Sequence, residues 1–139
     1  MATIRKFEDL DVWQKACHLA KRVWDLTQKG SFAKDYKLKD QINDACGSVM
    51  DNIAEGFERG GNNEFRYFLW ISKGSSGEIR SQAHRARHRG HITEDEFTEI
   101  WTEANDIGKM LHGLLDSIRQ SNYKGRKFKE HLNPERTEP

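Results

Sequence analysis

Cysteine, proline, net charge and long apolar runs are all scarce in this chain. It has 139 residues and two cysteines, Cys17 and Cys46. So few thiols cannot staple a small secreted scaffold. Both stand in apolar helical context without C-x-x-C spacing, so the expectation is a pair of buried, reduced thiols acting as small hydrophobes. The two prolines leave long stretches free of helix breakers. No apolar run approaches the ~20 residues of a membrane span. The opening MATIRKFEDLDVW lacks the apolar core of a signal peptide. The expectation is a cytoplasmic protein with no membrane partner. Formal net charge is only +1, so attraction to nucleic acid must come from a local patch.

What is present is charge and helical periodicity. Charged residues make up 32% of the chain and apolar ones 35%, a balance that suits helices with solvated outer faces. The length fits one domain, which at this size buries roughly two-thirds of its unfolded surface.

The segment LKDQINDACGSVMDNIAEGFERG, Leu38 to Gly60, carries the most information. Ile42, Ala45, Val49, Ile53 and Phe57 recur at helical spacing. Gln41, Ser48, Asn52 and Glu55 stand beside that face, as suits a helix that meets other helices and a subunit interface. A first helix is expected from about Leu10 to Gln28, capped by Asp9 or Asp11 and ended by Gly30. Its stripe reads Leu10, Trp13, Ala16, Cys17, Ala20, Val23, Trp24 and Thr27. After a connection at Ser31 to Tyr36, the second helix runs from about Leu38 to Glu58.

The Gly60-Gly61-Asn62-Asn63 cluster breaks the chain, and Asn62 or Asn63 is placed to cap a third helix that runs to about Arg89. Ser72, Ser75 and Ser76, with Gly74 and Gly77, make its middle slim enough for a close helix neighbour. Gly90 ends it. Thr93 and Glu96 form a capping box for a fourth helix to about Gln120. From Asn122 onward periodicity gives way to charge, so residues 122–139 read as a flexible polar tail after a domain of residues 1–121. The expected fold class is all-α: an antiparallel up-down four-helix bundle.

FEDLDVWQKACHLAKRVWDLT, QINDACGSVMDNIAEGFERG, NEFRYFLWISKGSSGEI and the closing aromatic-aliphatic helix, in that order, resemble the four-helix bundle proteins, or large-subunit rRNA intervening-sequence proteins. The resemblance runs from about Phe7 to Ile118; NIAEG at Asn52–Gly56 followed by Phe65–Ser76 is its most specific part. It implies an up-down bundle that assembles into a ring, a homopentamer, of bacterial cytosolic origin. It also implies members encoded within rRNA intervening sequences. A related group of bundles are accessory proteins to the reverse transcriptases of diversity-generating retroelements, where they bind nucleic acid. The family brings no established catalytic activity. Two features of this chain depart from the pattern: the arginine and histidine cluster ending helix three, and the long polar tail.

That cluster is Arg80, His84, Arg85, Arg87, His88, Arg89 and His91. Arginine forks pair with phosphate oxygens and release counterions, so Arg80, Arg85, Arg87, His88 and Arg89 form the candidate RNA- or DNA-binding surface. Cations at a helix C-terminus also complement the helix dipole without any ligand. Lys124, Arg126, Lys127, Lys129 and Arg136 in the tail would add to the patch, with Glu130, Glu135 and Glu138 partly cancelling them. His84 and His88 lie one turn apart, but the arginines between them would repel a dication, so no metal and no cofactor are expected.

Gln41, Ser48, Asn52 and Glu55, with Phe68 and Trp70, are the candidate network for helix register or subunit contact. A proton-transfer pair from Glu55 and Glu78 is the enzymatic alternative, but no nucleophile, phosphate loop or metal cage accompanies it. Trp13, Trp24, Phe65, Tyr67, Phe68, Trp70 and Trp101 read mostly as core. Phe68 to Ile71 nevertheless spread apolar surface round more than one face of helix three, which supports oligomerisation. The function expected is a non-enzymatic oligomeric scaffold binding RNA or DNA, and the alternative is a protein-interaction scaffold without nucleic acid.

Overall fold

A computed structural model describes residues 4–120. The tail at residues 122–139, with its basic residues, lies outside the described residues. The described chain is all-α. A 3-10 turn at Phe7–Asp9 precedes α1 (Asp11–Thr27), and a second at Phe32–Lys34 lies in the first link. Then follow α2 (Tyr36–Arg59), α3 (Asn62–His88) and α4 (Glu94–Gln120).

Contacts across the bundle set the direction of each helix. Arg22 pairs with Glu99, and Lys15 with Glu103, so α1 and α4 run antiparallel. Gln41 meets Arg85 and Ser48 meets Ser75, which orders α2 against α3 in the same sense. Arg87 meets Glu94 and Arg80 meets Asn105, so α3 and α4 are antiparallel too. The helices close an up-down-up-down square, with the first and third links at one end.

The links follow local chemistry. Gly60 and Gly90 take φ of 84° and 74°, the left-handed region that glycine enters without a Cβ penalty. At Gly90 the His91 amide donates to the Ala86 carbonyl (2.9 Å) and the Gly90 amide to that of Arg87 (3.0 Å). This pattern ends a helix and turns the chain sharply. The expected capping box is present: the Glu96 amide donates to Thr93 Oγ1 (3.1 Å) and the Thr93 amide to Glu96 Oε1 (2.8 Å).

Other expectations change. Leu10, with no side-chain cap, precedes α1; the Asp9 carboxylate instead accepts from the amides of Arg5 and Lys6. Asp35 caps α2 by accepting from the Leu38 amide, so α2 begins before Leu38. Gly61 precedes α3, and Asn62 is already helical.

The stripe of α1 is wider than expected. Leu10, Ala16, Val23 and Thr27 are buried and Trp13, Cys17 and Ala20 half-buried, while Trp24 is 52% exposed. Val12, Leu19 and Leu26, outside the expected stripe, are buried as well. The aromatics are mostly not core: Phe65 is buried, Trp13, Phe68 and Trp101 are half-buried, and Tyr67 and Trp70 are exposed. Cys46 is buried and Cys17 half-buried, both free.

The close approach between helices also moves. The glycine packed against a neighbour is Gly56, where an added Cβ would stand 2.8 Å from Phe68 Cβ. Gly74 has open space around it, and Gly77 meets only the end of Arg80. Ser72, Ser75 and Ser76 do face inward and are buried.

Candidate functional site

At the link end of the bundle, the fold takes the arginine and histidine cluster apart. Helical spacing sends its members toward different neighbours. Arg89 Nη1 donates to Asp35 Oδ2 at 2.7 Å. His91, delivered by the Gly90 turn, meets the same oxygen at 2.8 Å through Nε2 and Ser31 Oγ at 2.7 Å through Nδ1. Its ring stacks on buried Phe32, with centroids 5.0 Å apart. Asp35 thus ties the first link to the third while capping α2. These donors hold its carboxyl well below the usual range, at about 2, with the His91 hydrogen bond the largest cause and that of Arg89 next.

Arg85 leans the other way, donating to Gln41 Oε1 of α2 at 3.2 Å. Arg87 turns to α4, donating to Glu94 at 3.3 Å and lying 4.0 Å over the Phe97 ring. Arg87 Nη2 also donates to His84 Nδ1 at 3.3 Å. His88 is exposed, with its ring 6.2 Å from that of His84. Among the described residues no group of His, Cys, Asp and Glu is arranged to hold a metal ion.

Arg80 lies two turns earlier and lines a groove between α3 and α4 of about 310 Å³, with Lys73, Ser76, Ala104, Asn105, Gly108, Lys109 and His112. Arg80 Nη1 donates to Asn105 Oδ1 at 3.3 Å, and its guanidinium lies 5.5 Å over the Trp101 ring. Lys73 sits 5.7 Å over Trp70. No single residue of this groove is unusual, so only Arg80 of its cations was singled out from the sequence. Helical spacing on both helices, with their register, could have found the rest.

The α2 candidates separate into two kinds. Ser48 Oγ meets Ser75 Oγ of α3 at 2.8 Å, and Asn52 Nδ2 donates to Ser48 Oγ at 3.0 Å. Ser72 Oγ donates to the Val49 carbonyl at 2.8 Å. Buried hydroxyls so paired reward one register of α2 on α3, since a slip would orphan them. Asn43, which sequence reading passed over, bonds Thr27 of α1 at 3.0 Å. Glu55 stands apart, exposed and paired with Arg59 at 2.6 Å. Glu78 shares a second groove of about 290 Å³ with Gln41, Asp44, Ala45, Ser48 and Gln82. Glu78 lies beside Ala45 and Glu55 beside Gly56, near Phe68, so about ten residues, ~15 Å of helix, separate the carboxylates. They cannot share a proton-transfer step.

Tyr67, Trp70 and Ile71 face outward on α3 with exposures of 62%, 51% and 36%, and Gly74 completes that face one turn on. Phe68, on the α2 side, packs over Gly56 and lies 5.0 Å below the Arg59 guanidinium.

The molecule is a small up-down four-helix bundle with polar grooves along α3. Its sequence matches the model of the 23S rRNA-intervening sequence protein family over residues 8–113, and the chain belongs to that family. A solved structure of similar fold is a protein of unknown function from the S23 ribosomal protein family of Bacteroides thetaiotaomicron VPI-5482. It is 20% identical, with a TM-score of 0.69, and the match covers 75% of this chain and 97% of that one. No curated protein matches. No described helix is long and apolar enough to cross a membrane.

Proposed function

We propose that this protein is a non-enzymatic, self-associating scaffold that binds RNA or DNA in the cytoplasm. The observation that carries it is the uncovered face of α3. Tyr67, Trp70 and Ile71 recur there at helical spacing, exposed to solvent, where the described residues supply no cover. An apolar face outside the main core belongs to a partner surface. Gly74 and Gly77 weaken an exposed helix by up to ~1 kcal/mol each, and close packing of a second copy would offset that. The pentameric ring implied by the family resemblance is one closed arrangement of such copies.

An RNA partner draws support from the family's name, which couples it to the 23S rRNA intervening sequence. A ring also multiplies a weak cationic patch by presenting it several times. A protein-interaction scaffold is the second reading. It is favoured by the internal acceptors that Arg85, Arg87 and Arg89 already hold. A reverse transcriptase, from the resemblance, is one such protein partner.

The test is mass-resolved size exclusion with and without a short structured RNA, at low and at moderate salt. The expected result is an oligomer that co-elutes with RNA at low salt and releases it as salt rises. An oligomer that never shifts would refute the nucleic-acid role and favour the protein scaffold. A monomer at micromolar concentration would refute self-association.

A further inference from the structure

We infer that the groove between α3 and α4 is the protein's phosphate-binding site, and that it takes backbone phosphodiesters when the ligand is a nucleic acid. The second clause rests on the function proposed above. The lining residues include Lys73, Arg80, Lys109 and His112, and none is a carboxylate. Acidic residues nearly equal basic ones in the chain, 22 against 23, so a groove whose lining holds Lys73, Arg80 and Lys109 and no carboxylate is a local segregation of charge. The other groove along α3 has the opposite character, with Asp44 and Glu78.

The state of these cations distinguishes them from the arginines at the end of α3. Arg87 and Arg89 are neutralised by Glu94 and Asp35. Lys73, Arg80 and Lys109 have no ion-pair partner among the described residues. Arg80 is held rather than neutralised: Asn105 and the Trp101 face position it, and one hydrogen bond leaves most of its five donors for a ligand. His112 is the exception, lying 3.6 Å from Asp116 at the edge of the groove.

The floor is small. Ser76 donates its hydroxyl to the Lys73 carbonyl at 2.7 Å, leaving its oxygen lone pairs, and Ala104 and Gly108 face it across the groove. A Cβ on Gly108 would come 3.3 Å from Ser76 Oγ and begin to fill the space. Lys73 and Arg80 stand two turns apart on α3, ~10 Å along its axis. That row of charge is longer than one phosphate group and suits a strand.

The test is fluorescence anisotropy of a short labelled single-stranded RNA across a salt series. Wild type is compared with the Lys73→Ala, Lys109→Ala double variant and with a charge-matched Lys21→Ala, Lys29→Ala control, on α1 and in the link just after it. Far-UV circular dichroism checks the fold, and Lys73→Gln, Lys109→Gln replaces the alanine pair if helicity falls. Binding of inorganic pyrophosphate is measured on the same proteins by calorimetry. The expected result is at least a tenfold loss of RNA affinity in the groove variant alone. The log–log salt slope should shrink by ~1.4, two single-strand phosphate contacts. If wild type binds RNA and the groove variant binds equally well, or the α1 control loses as much, the groove inference falls while the nucleic-acid function stands. If wild type ignores RNA but binds pyrophosphate in a groove-dependent way, the phosphate site stands and the nucleic-acid function falls. If neither ligand binds, both fall.

Discussion

Gly56→Ala should destabilise this protein although alanine is the better helix former. In an open helix the change stabilises by up to ~1 kcal/mol. At this position the new Cβ would sit 2.8 Å from Phe68 Cβ and 3.1 Å from Phe65 Cδ1, where ordinary contact begins at 3.4 Å. Phe68 Cβ is fixed to the α3 backbone and cannot swing away, so α3 itself must move off α2. That motion strains the edge-to-face packing of Phe57 on Phe65 and the Ser48–Ser75 and Ser72–Val49 hydrogen bonds that share the interface. Overpacking of this kind costs about 1–3 kcal/mol, which outweighs the propensity gain. A net loss of about 1–2 kcal/mol would lower Tm by roughly 3–8 °C at this chain length.

The comparison is Gly74→Ala, where no atom lies within 4 Å of the new Cβ. There the propensity gain should appear undiminished, raising stability by ~0.5–1 kcal/mol in the isolated chain. Both variants are measured by urea unfolding at one fixed protein concentration, because self-association would otherwise enter the result. A Gly56→Ala protein as stable as wild type would refute the close approach at Gly56. In the self-associated protein the proposed cover of that face by another copy would turn the gain in Gly74→Ala into a loss that is relieved on dilution.

Two further outcomes follow from titratable groups. Asp35 has its pKa lowered to about 2 by His91 and Arg89, so its charged form is favoured by folding. Its contribution is present above the ordinary carboxylate pKa and is lost as pH falls through that value toward 2. Asp35→Asn should therefore flatten the acid limb of a stability-against-pH curve, and an unchanged limb would refute the latch between the links. Burial pushes the Cys46 thiol up to about 12, so alkylation at neutral pH should label half-buried Cys17 first and reach Cys46 only on unfolding. Equal labelling of both in the folded protein, read by mass spectrometry, would contradict that burial.

Helix number and order, and the ends at Gly60, Gly90 and Thr93, were legible because their causes are local. The Thr93–Glu96 box and the link glycines each act within a turn or two of chain. The full burial of Val12, Leu19 and Leu26 on α1 was not, since Trp13, Ala20 and Trp24 recur as regularly; which of them reach the interior depends on how α1 sits against α2 and α4.

The candidate site divides on the same line. The sequence by itself determined that basic residues crowd the end of α3 and that α2 carries hydroxyl and amide groups beside its apolar face. Tertiary structure alone decided that Asp35, Glu94 and Gln41 occupy Arg89, Arg87 and Arg85, and that Lys73 and Lys109 stand without an acid partner among the described residues. A helix fixes which side chains share its face within one segment. Which cation is neutralised depends on the register of the helix opposite, and the half-buried Ser48–Ser75 and buried Ser72–Val49 bonds help set that register for α2 against α3.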